Sequence, residues 1–195
     1  KINPQTAWDQ TTGSASVVVA VIDTGVDRNH TDLAGNMWQN SLEKGATAQQ
    51  GAVPNCTSRG LTLDKSCNNL DDDSNGYIDD TNGWDFINND NDPNDDYGHG
   101  THIAGTIGAV GNNSSGVVGV NWVSKIMAIK VFSQSGYATI SALVSGLTYG
   151  ADMGAKVSNL SWGCYCESVS VEDAVTYEHD AGMVVVAAAG NESWD

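Results

Sequence analysis

The chain has 195 residues, a formal net charge of −16 at pH 7 and 40% apolar residues. That length and composition suit one folded domain with a sizeable core and argue against disorder of the whole chain. So acidic a surface repels phosphate, which excludes nucleic acid as a partner, and no run of eighteen or more apolar residues offers a membrane span. Lys1 is followed by polar residues and not by an apolar stretch, so a targeting segment is expected to have been removed or to lie upstream.

In chain order, Val17 to Ile22 is a continuous apolar, mostly β-branched run that stops at Asp23-Thr24-Gly25. A short run apolar on both faces predicts a buried parallel strand with Asp23 at its carboxyl end. From about residue 36 to 97 the chain is polar, rich in Asn, Asp and Gly, and without periodicity. It reads as a long acidic surface insertion, with a short strand near Gly83–Phe86. Small residues from Gly100 to Val110 predict a closely packed helix that begins at Gly98-His99-Gly100-Thr101-His102. Lys125–Phe132 reads as a strand. Ile140, Leu143, Val144 and Leu147 form one helix face. Val157–Trp162 predicts a strand, Val171, Ala174, Val175 and Glu178 a helix, and Met183–Ala189 a second fully apolar strand. The alternation predicts an α/β fold with a doubly wound, mostly parallel sheet. No internal repeat or linker divides it, so residues 1–195 read as one incomplete domain. Reactive groups in such sheets gather at strand carboxyl ends, and here these carry Asp23, Ser161-Trp162-Gly163 and Gly190-Asn191.

Ten aspartates fall between Asp71 and Asp96, and no Lys or Arg lies between Lys65 and Lys125. One reading is a solvated acidic loop. The other is a cation site. Asp71 to Asp80 contains D-x-D-x-N-G, which sets oxygen ligands at alternate positions before a glycine turn as in an EF-hand loop, without the glutamate at position twelve. Asp71, Asp73, Asn75, the Tyr77 carbonyl, and Asp79 or Asp80 are the candidate calcium ligands. Cys56, Cys67, Cys164 and Cys166 form an even set that suits disulfides in an oxidising compartment. Cys56 with Cys67, which closes a short loop, is the favoured pair; Cys164 and Cys166 are only two apart, an awkward span for one bridge, and a partner beyond Asp195 is the alternative for one of them. A zinc site lacks the usual C-x(2–4)-C knuckle. Sequons at Asn29, Asn55 and Asn159 matter only in a eukaryotic secretory host.

Serine hydrolases need a carboxylate to orient an imidazole, the imidazole as base, and a nucleophilic serine. Asp23 at a strand end, His99 at a glycine-flanked helix start and the Asn191 amide past another strand could supply the first two and an oxyanion donor. Each has a plainer reading alone. Asp23 could be a turn aspartate, or half of an aspartic-protease pair, for which a second such triplet is lacking. His99 and His102 could ligate a metal, but no suitably spaced acidic ligand follows. Asn191 could cap a turn. Their joint occurrence favours the hydrolase.

With those motifs the chain resembles the subtilisin-like serine peptidases, the subtilase family, from about Asn3 to Asp195. Val21-Ile22-Asp23-Thr24-Gly25 is similar to the setting of the family's aspartate, H-G-T-H-I-A-G to that of its histidine, and A-A-G-N to that of its oxyanion asparagine; the order Asp then His is subtilisin's own. The resemblance implies a subtilisin-like fold and a secreted endopeptidase acting on polypeptides, with a pro-segment inhibitor as a further partner. It also implies roles for Ser161, Trp162 and Gly163 in lining the P1 pocket, and for Ser135, Gly136 and Tyr137 in pairing with extended substrate. D-D-D-x-N-G-Y-x-D-D beside G-W-D-F is similar to a calcium-binding insertion of some members. Gln5, Asp32 and the loop from Val110 to Val117, with Asn112 or Asn113, resemble a second calcium site. A sedolisin-type relative would carry Glu and Asp in place of this His and Asn. The family's G-T-S-x-[AS] nucleophile motif is missing, and Ser193 stands too close to Asn191 to replace it. The chain is therefore expected to be truncated before its serine and inactive alone. The competing reading is a catalytically dead, calcium-stabilised binding module.

Overall fold

The computed structural model describes residues 2–48, 56–57, 59–61, 64–163 and 167–191, so Asn55, Cys164, Cys166 and Ser193 lie outside it. Its elements are helix α1 (Gln5–Trp8), strand β1 (Val18–Asp23), β2 (Gly83–Asp85), helix α2 (His99–Gly108), β3 (Lys125–Lys130), α3 (Ile140–Asp152), β4 (Val157–Leu160), α4 (Val169–Asp180) and β5 (Val184–Ala187). The five strands form one parallel sheet in the order β2-β3-β1-β4-β5. β1 is central, and Asp23 at its carboxyl end stands in register with Lys130 of β3.

The strand pattern explains the layers. Ala20 and Ile22 of β1, with Met127 and Ile129 of β3, pack against Leu143, Leu147 and Tyr149 of α3 and Ala174 of α4. The alternate residues Val19, Val21, Ile126 and Ala128 pack against Ala104 of α2 on the other face. A parallel strand covered by helices on both faces must be apolar throughout, and each fully buried Ile, Leu or Met contributes about 1.5–3 kcal/mol. The sheet is thus doubly wound, as the sequence predicts.

Three details differ from a reading of pattern alone. Residues 36–97 do not merely cover the surface. They supply the edge strand β2, and Tyr77 and Phe86 meet Tyr149 of α3 in edge-on ring contacts, with Trp84 joined to the set through Tyr77. The aromatic residues were hidden from periodicity because they are spaced by turns. Next, Ile140 is exposed although it opens the apolar face of α3. Finally, β5 is apolar but Val184 and Val186 are 60% and 49% exposed, since it is the edge strand of the described sheet. Cys56 and Cys67 are joined by a disulfide inside the insertion.

Candidate active site

Asp23 reaches its place because β1 ends there. Gly25 turns the chain with φ +103°, and a Cβ on it would stand 2.6 Å from the Pro93 carbonyl oxygen. α2 then starts against this corner. A Cβ at Gly100 would lie 2.1 Å from the Gly25 carbonyl oxygen, so only glycine lets the first helical turn come so near. The result is a hydrogen bond of 2.8 Å between His99 Nδ1 and Asp23 Oδ1. Asp23 Oδ1 also receives the Thr24 N–H at 2.7 Å. The Asp23 side chain is 2% exposed and that of His99 44% exposed. An ionised carboxylate can only accept, so Nδ1 carries the hydrogen and Nε2 of the neutral ring is left with a lone pair to take a proton.

The other residues singled out in the sequence surround this corner on separate elements. Trp162, past β4, donates its indole N–H to the Ile22 carbonyl at 2.8 Å and tilts against Phe132 at 5.8 Å between ring centroids. Ser135, Gly136 and Tyr137 are exposed on a turn closed by Gly136 N–H to Ser133 O at 2.8 Å and Ser133 N–H to Tyr137 O at 2.9 Å. A Cβ at Gly136 would stand 3.8 Å from the Tyr97 ring, so this turn borders the loop that leads to His99. Asn191 is exposed just beyond β5. β1, α2, β4 and β5 therefore all deliver polar groups at one end of the sheet, the end where parallel α/β sheets bind ligands.

The acidic insertion is internally organised. Asp71 accepts the N–H groups of Asn75 and Gly76 at 3.1 and 2.8 Å, and Asp73 accepts Asn75 N–H at 3.1 Å. Asp71 and Asp73 gather with Glu43, one oxygen of each lying within 4.8 Å of the others. Glu43 is fully buried. Its Oε1 receives the Asp72 and Asp73 N–H groups at 2.6 and 3.1 Å, while Oε2 has no partner among the described residues. Burial pushes the Glu43 carboxyl up to about 7, with the Asp73 and Asp80 charges adding to the shift. The sequence reading missed Glu43, because it lies far from the D-x-D pattern along the chain. Of the other expected ligands, Asn75 Oδ1 takes the Tyr77 N–H at 2.7 Å. Asp80 receives Asn40 Nδ2, Asn75 Nδ2 and the Tyr149 hydroxyl at 2.8, 3.0 and 2.6 Å. Asp79 receives Asn69 N–H at 3.1 Å. These bonds brace the loop, and Asp79 Oδ1 is left buried without a partner among the described residues.

At the second expected calcium position, Asp32 is buried and both its oxygens already accept protein donors, Asn113 Nδ2 at 2.7 Å and Val117 N–H at 2.8 Å. Those two hydrogen bonds hold its carboxyl below the usual range. The Val110 N–H donates to the Asp32 carbonyl at 2.8 Å, so Asp32 pins the 110–117 loop. Asn112 takes positive φ in that loop, and Gln5 opens the short helix α1.

The model of the subtilase family of peptidases matches residues 14–195. Among curated proteins, thermitase of Thermoactinomyces vulgaris is 37% identical over 191 residues, covering 98% of this chain and 53% of that protein. The thermophilic serine proteinase of Bacillus sp. (strain AK1) is 36% identical over 185 residues, covering 95% of this chain and 35% of that protein. Subtilisin-like protease 1 of Plasmodium falciparum (isolate 3D7) is 32% identical over 176 residues, covering 90% of this chain and 23% of that protein. The chain spans about half or less of the length of these relatives. With a parallel sheet wound on both faces and a family match over nearly its whole length, the chain belongs to the subtilase family.

Proposed function

We propose that this chain is the part of a secreted serine endopeptidase that carries the base and its orienting carboxylate. The carrying observation is the Asp23–His99 hydrogen bond at the carboxyl end of the central strand. In this reading His99 Nε2 takes the proton of a serine hydroxyl as that oxygen attacks the peptide carbonyl, then returns it to the leaving amine. Asp23 fixes the tautomer and stabilises the imidazolium. Asn191 donates its side-chain amide to the oxyanion. The nucleophile belongs to a G-T-S-x-[AS] segment that the 195 residues do not contain. Extended polypeptide would lie along Ser135–Tyr137 and 161–163, with the Trp162 indole shaping the P1 side chain's pocket. A pro-segment would occupy the same cleft.

Calcium is the cation this reading assigns to Glu43, Asp71 and Asp73. The donor set is all carboxylate oxygen, which suits a hard cation. The orphaned oxygen of buried Glu43 is the supporting observation. A divalent ion there would keep all three carboxylates ionised and tie Glu43 to the Asp71–Asp80 loop.

The test uses the full-length protein with a fluorophosphonate probe and a chromogenic peptide. Labelling of one serine, abolished with hydrolysis in His99→Ala, is the expected result. Calcium binding with no serine labelled and no hydrolysis would establish the inactive, calcium-stabilised module instead.

A further inference from the structure

α2 packs Ile103 and Ile107 partly against the core, both beyond its first residues. Its buried positions are Gly100, Ala104 and Gly108, small residues that allow close approach but interlock little. Its N-cap is Gly98, at φ +102° and without a side chain to cap the first turn. Yet His99 Nδ1 must meet Asp23 within a few tenths of an ångström. Some other group has to set how far the first turn advances toward β1.

Asp95 is placed to do so. Its Oδ1 receives the Tyr97 and Gly98 N–H groups at 3.0 and 2.8 Å and the Thr24 hydroxyl at 2.9 Å. Its Oδ2 receives the Thr101 N–H and hydroxyl at 2.8 and 2.6 Å. One carboxylate thus binds the residue before His99, the residue two after it, and the residue next to Asp23. Burial works to raise the Asp95 pKa, and the hydrogen bonds from Thr101, Gly98 and Tyr97 outweigh it, so the carboxyl stays ionised and below the usual range. A carboxylate at this end of a helix also suits the helix dipole.

Thr24 is held from three sides. Its hydroxyl accepts the Gly100 N–H at 2.9 Å while donating to Asp95. Its carbonyl accepts Lys130 Nζ at 2.7 Å. Lys130 is 1% exposed and its second partner is Asp96 Oδ1 at 2.6 Å. Burying an ammonium costs several kcal/mol unless it is paired and hydrogen-bonded, and here the pairing fastens β3 to the same loop. Thr24 then donates its own N–H to Asp23 Oδ1.

We propose that Asp95 is a positioning residue for the Asp23–His99 pair: it anchors the end of β1, through Thr24, and the first turn of α2 to one carboxylate, while Lys130 closes the frame from β3. Asp95 touches neither member of the pair. The inference rests on the peptidase reading, because its kinetic consequence needs His99 as the base.

The test compares full-length wild type with Asp95→Asn, Thr24→Val and Thr24→Ser. An amide offers one acceptor oxygen in place of two, so Asp95→Asn cannot serve the Thr24 and Thr101 sides together. Misplacing reacting groups by about 1 Å costs up to ~10²-fold in rate. The expected result is a kcat lower by about 10- to 100-fold in Asp95→Asn and Thr24→Val. KM should change less than kcat, since no side-chain hydrogen bond of Asp95 or Thr24 reaches Ser135–Tyr137 or residues 161–163. Thr24→Ser, which keeps the hydroxyl, should restore the rate. The low-field proton resonance of His99 Nδ1–H should shift in the two impaired variants and return in Thr24→Ser. Wild-type kcat and an unmoved His99 resonance in Asp95→Asn would overturn the proposal. If Asp95→Asn loses its cooperative melt, Thr24→Val decides by the same two readouts. Should His99→Ala leave hydrolysis intact, the peptidase reading fails, while the His99 resonance still decides whether Asp95 positions the pair.

Discussion

At the residue scale, the corner that holds Asp23 and His99 is built on close backbone approach at two glycines. Asp23 and His99 stand in short segments whose glycines have a local cause: Gly25 and Gly100 leave room for backbone that would otherwise collide. Glu43, Asp95 and Lys130 have no comparable signature. Each acts through partners on other elements, and an isolated Glu, Asp or Lys in a sequence looks like ordinary surface charge. Asn191 was visible through its position after an apolar strand. Asn191→Ala should lower kcat by about 10²–10³ with a small change in KM, the effect of removing one such donor in subtilisin itself, a member of the same family. A kcat within twofold of wild type would show that the Asn191 amide does not face the oxyanion.

At the element scale, the helices and strands followed the apolar pattern closely, while the 36–97 stretch did not. Its stability rests on side-chain hydrogen bonds and ring contacts that have no period. If Glu43, Asp71 and Asp73 hold calcium, the ion binds the folded loop alone and adds about 2.7 kcal/mol at a hundredfold excess over Kd. Melting with calcium and with chelator should separate clearly in wild type and converge in Glu43→Gln and in Asp71→Ala/Asp73→Ala. An undiminished calcium response in those variants would remove this loop as the source. α4 makes a second prediction. Glu178 is fully buried, and neither of its carboxyl oxygens finds a full hydrogen bond among the described residues. Burial pushes its carboxyl from 4.5 up to about 7, only partly offset by the Ser158 hydroxyl. The folded state therefore holds the proton more tightly than the unfolded one. Glu178's contribution is most favourable below pH 4.5 and is lost as the pH rises through about 7. Glu178→Gln should raise stability at pH 8 by about 1–3 kcal/mol, and the stability of wild type minus variant should fall as the pH rises between those two values. A difference independent of pH would mean that Glu178 titrates alike in the folded and unfolded states.

At the scale of the whole molecule, β5 forms one edge of the described sheet. Val184 and Val186 of β5 are exposed at its edge, and apolar edges of this kind invite association. Residues 1–195 expressed alone are expected to show no peptide hydrolysis above background, to bind a hydrophobic dye and to self-associate. Hydrolysis abolished by Ser193→Ala would place a nucleophile inside the chain, and a monomer with a sharp melt would show that β5 needs no cover. The sequence by itself determined the parallel α/β architecture, the buried strand ending in Asp23 and the helix opening at His99. Those features depend on apolar period and on local steric rules, which are written in consecutive residues. The tertiary structure alone decided that Glu43 joins Asp71 and Asp73, that Tyr77 and Phe86 fasten the insertion to α3, and that Asp95, Thr24 and Lys130 frame the Asp23–His99 pair. These are meetings of single polar or aromatic groups across loops of arbitrary length, and only the folded path of the chain brings them within hydrogen-bond or van der Waals range.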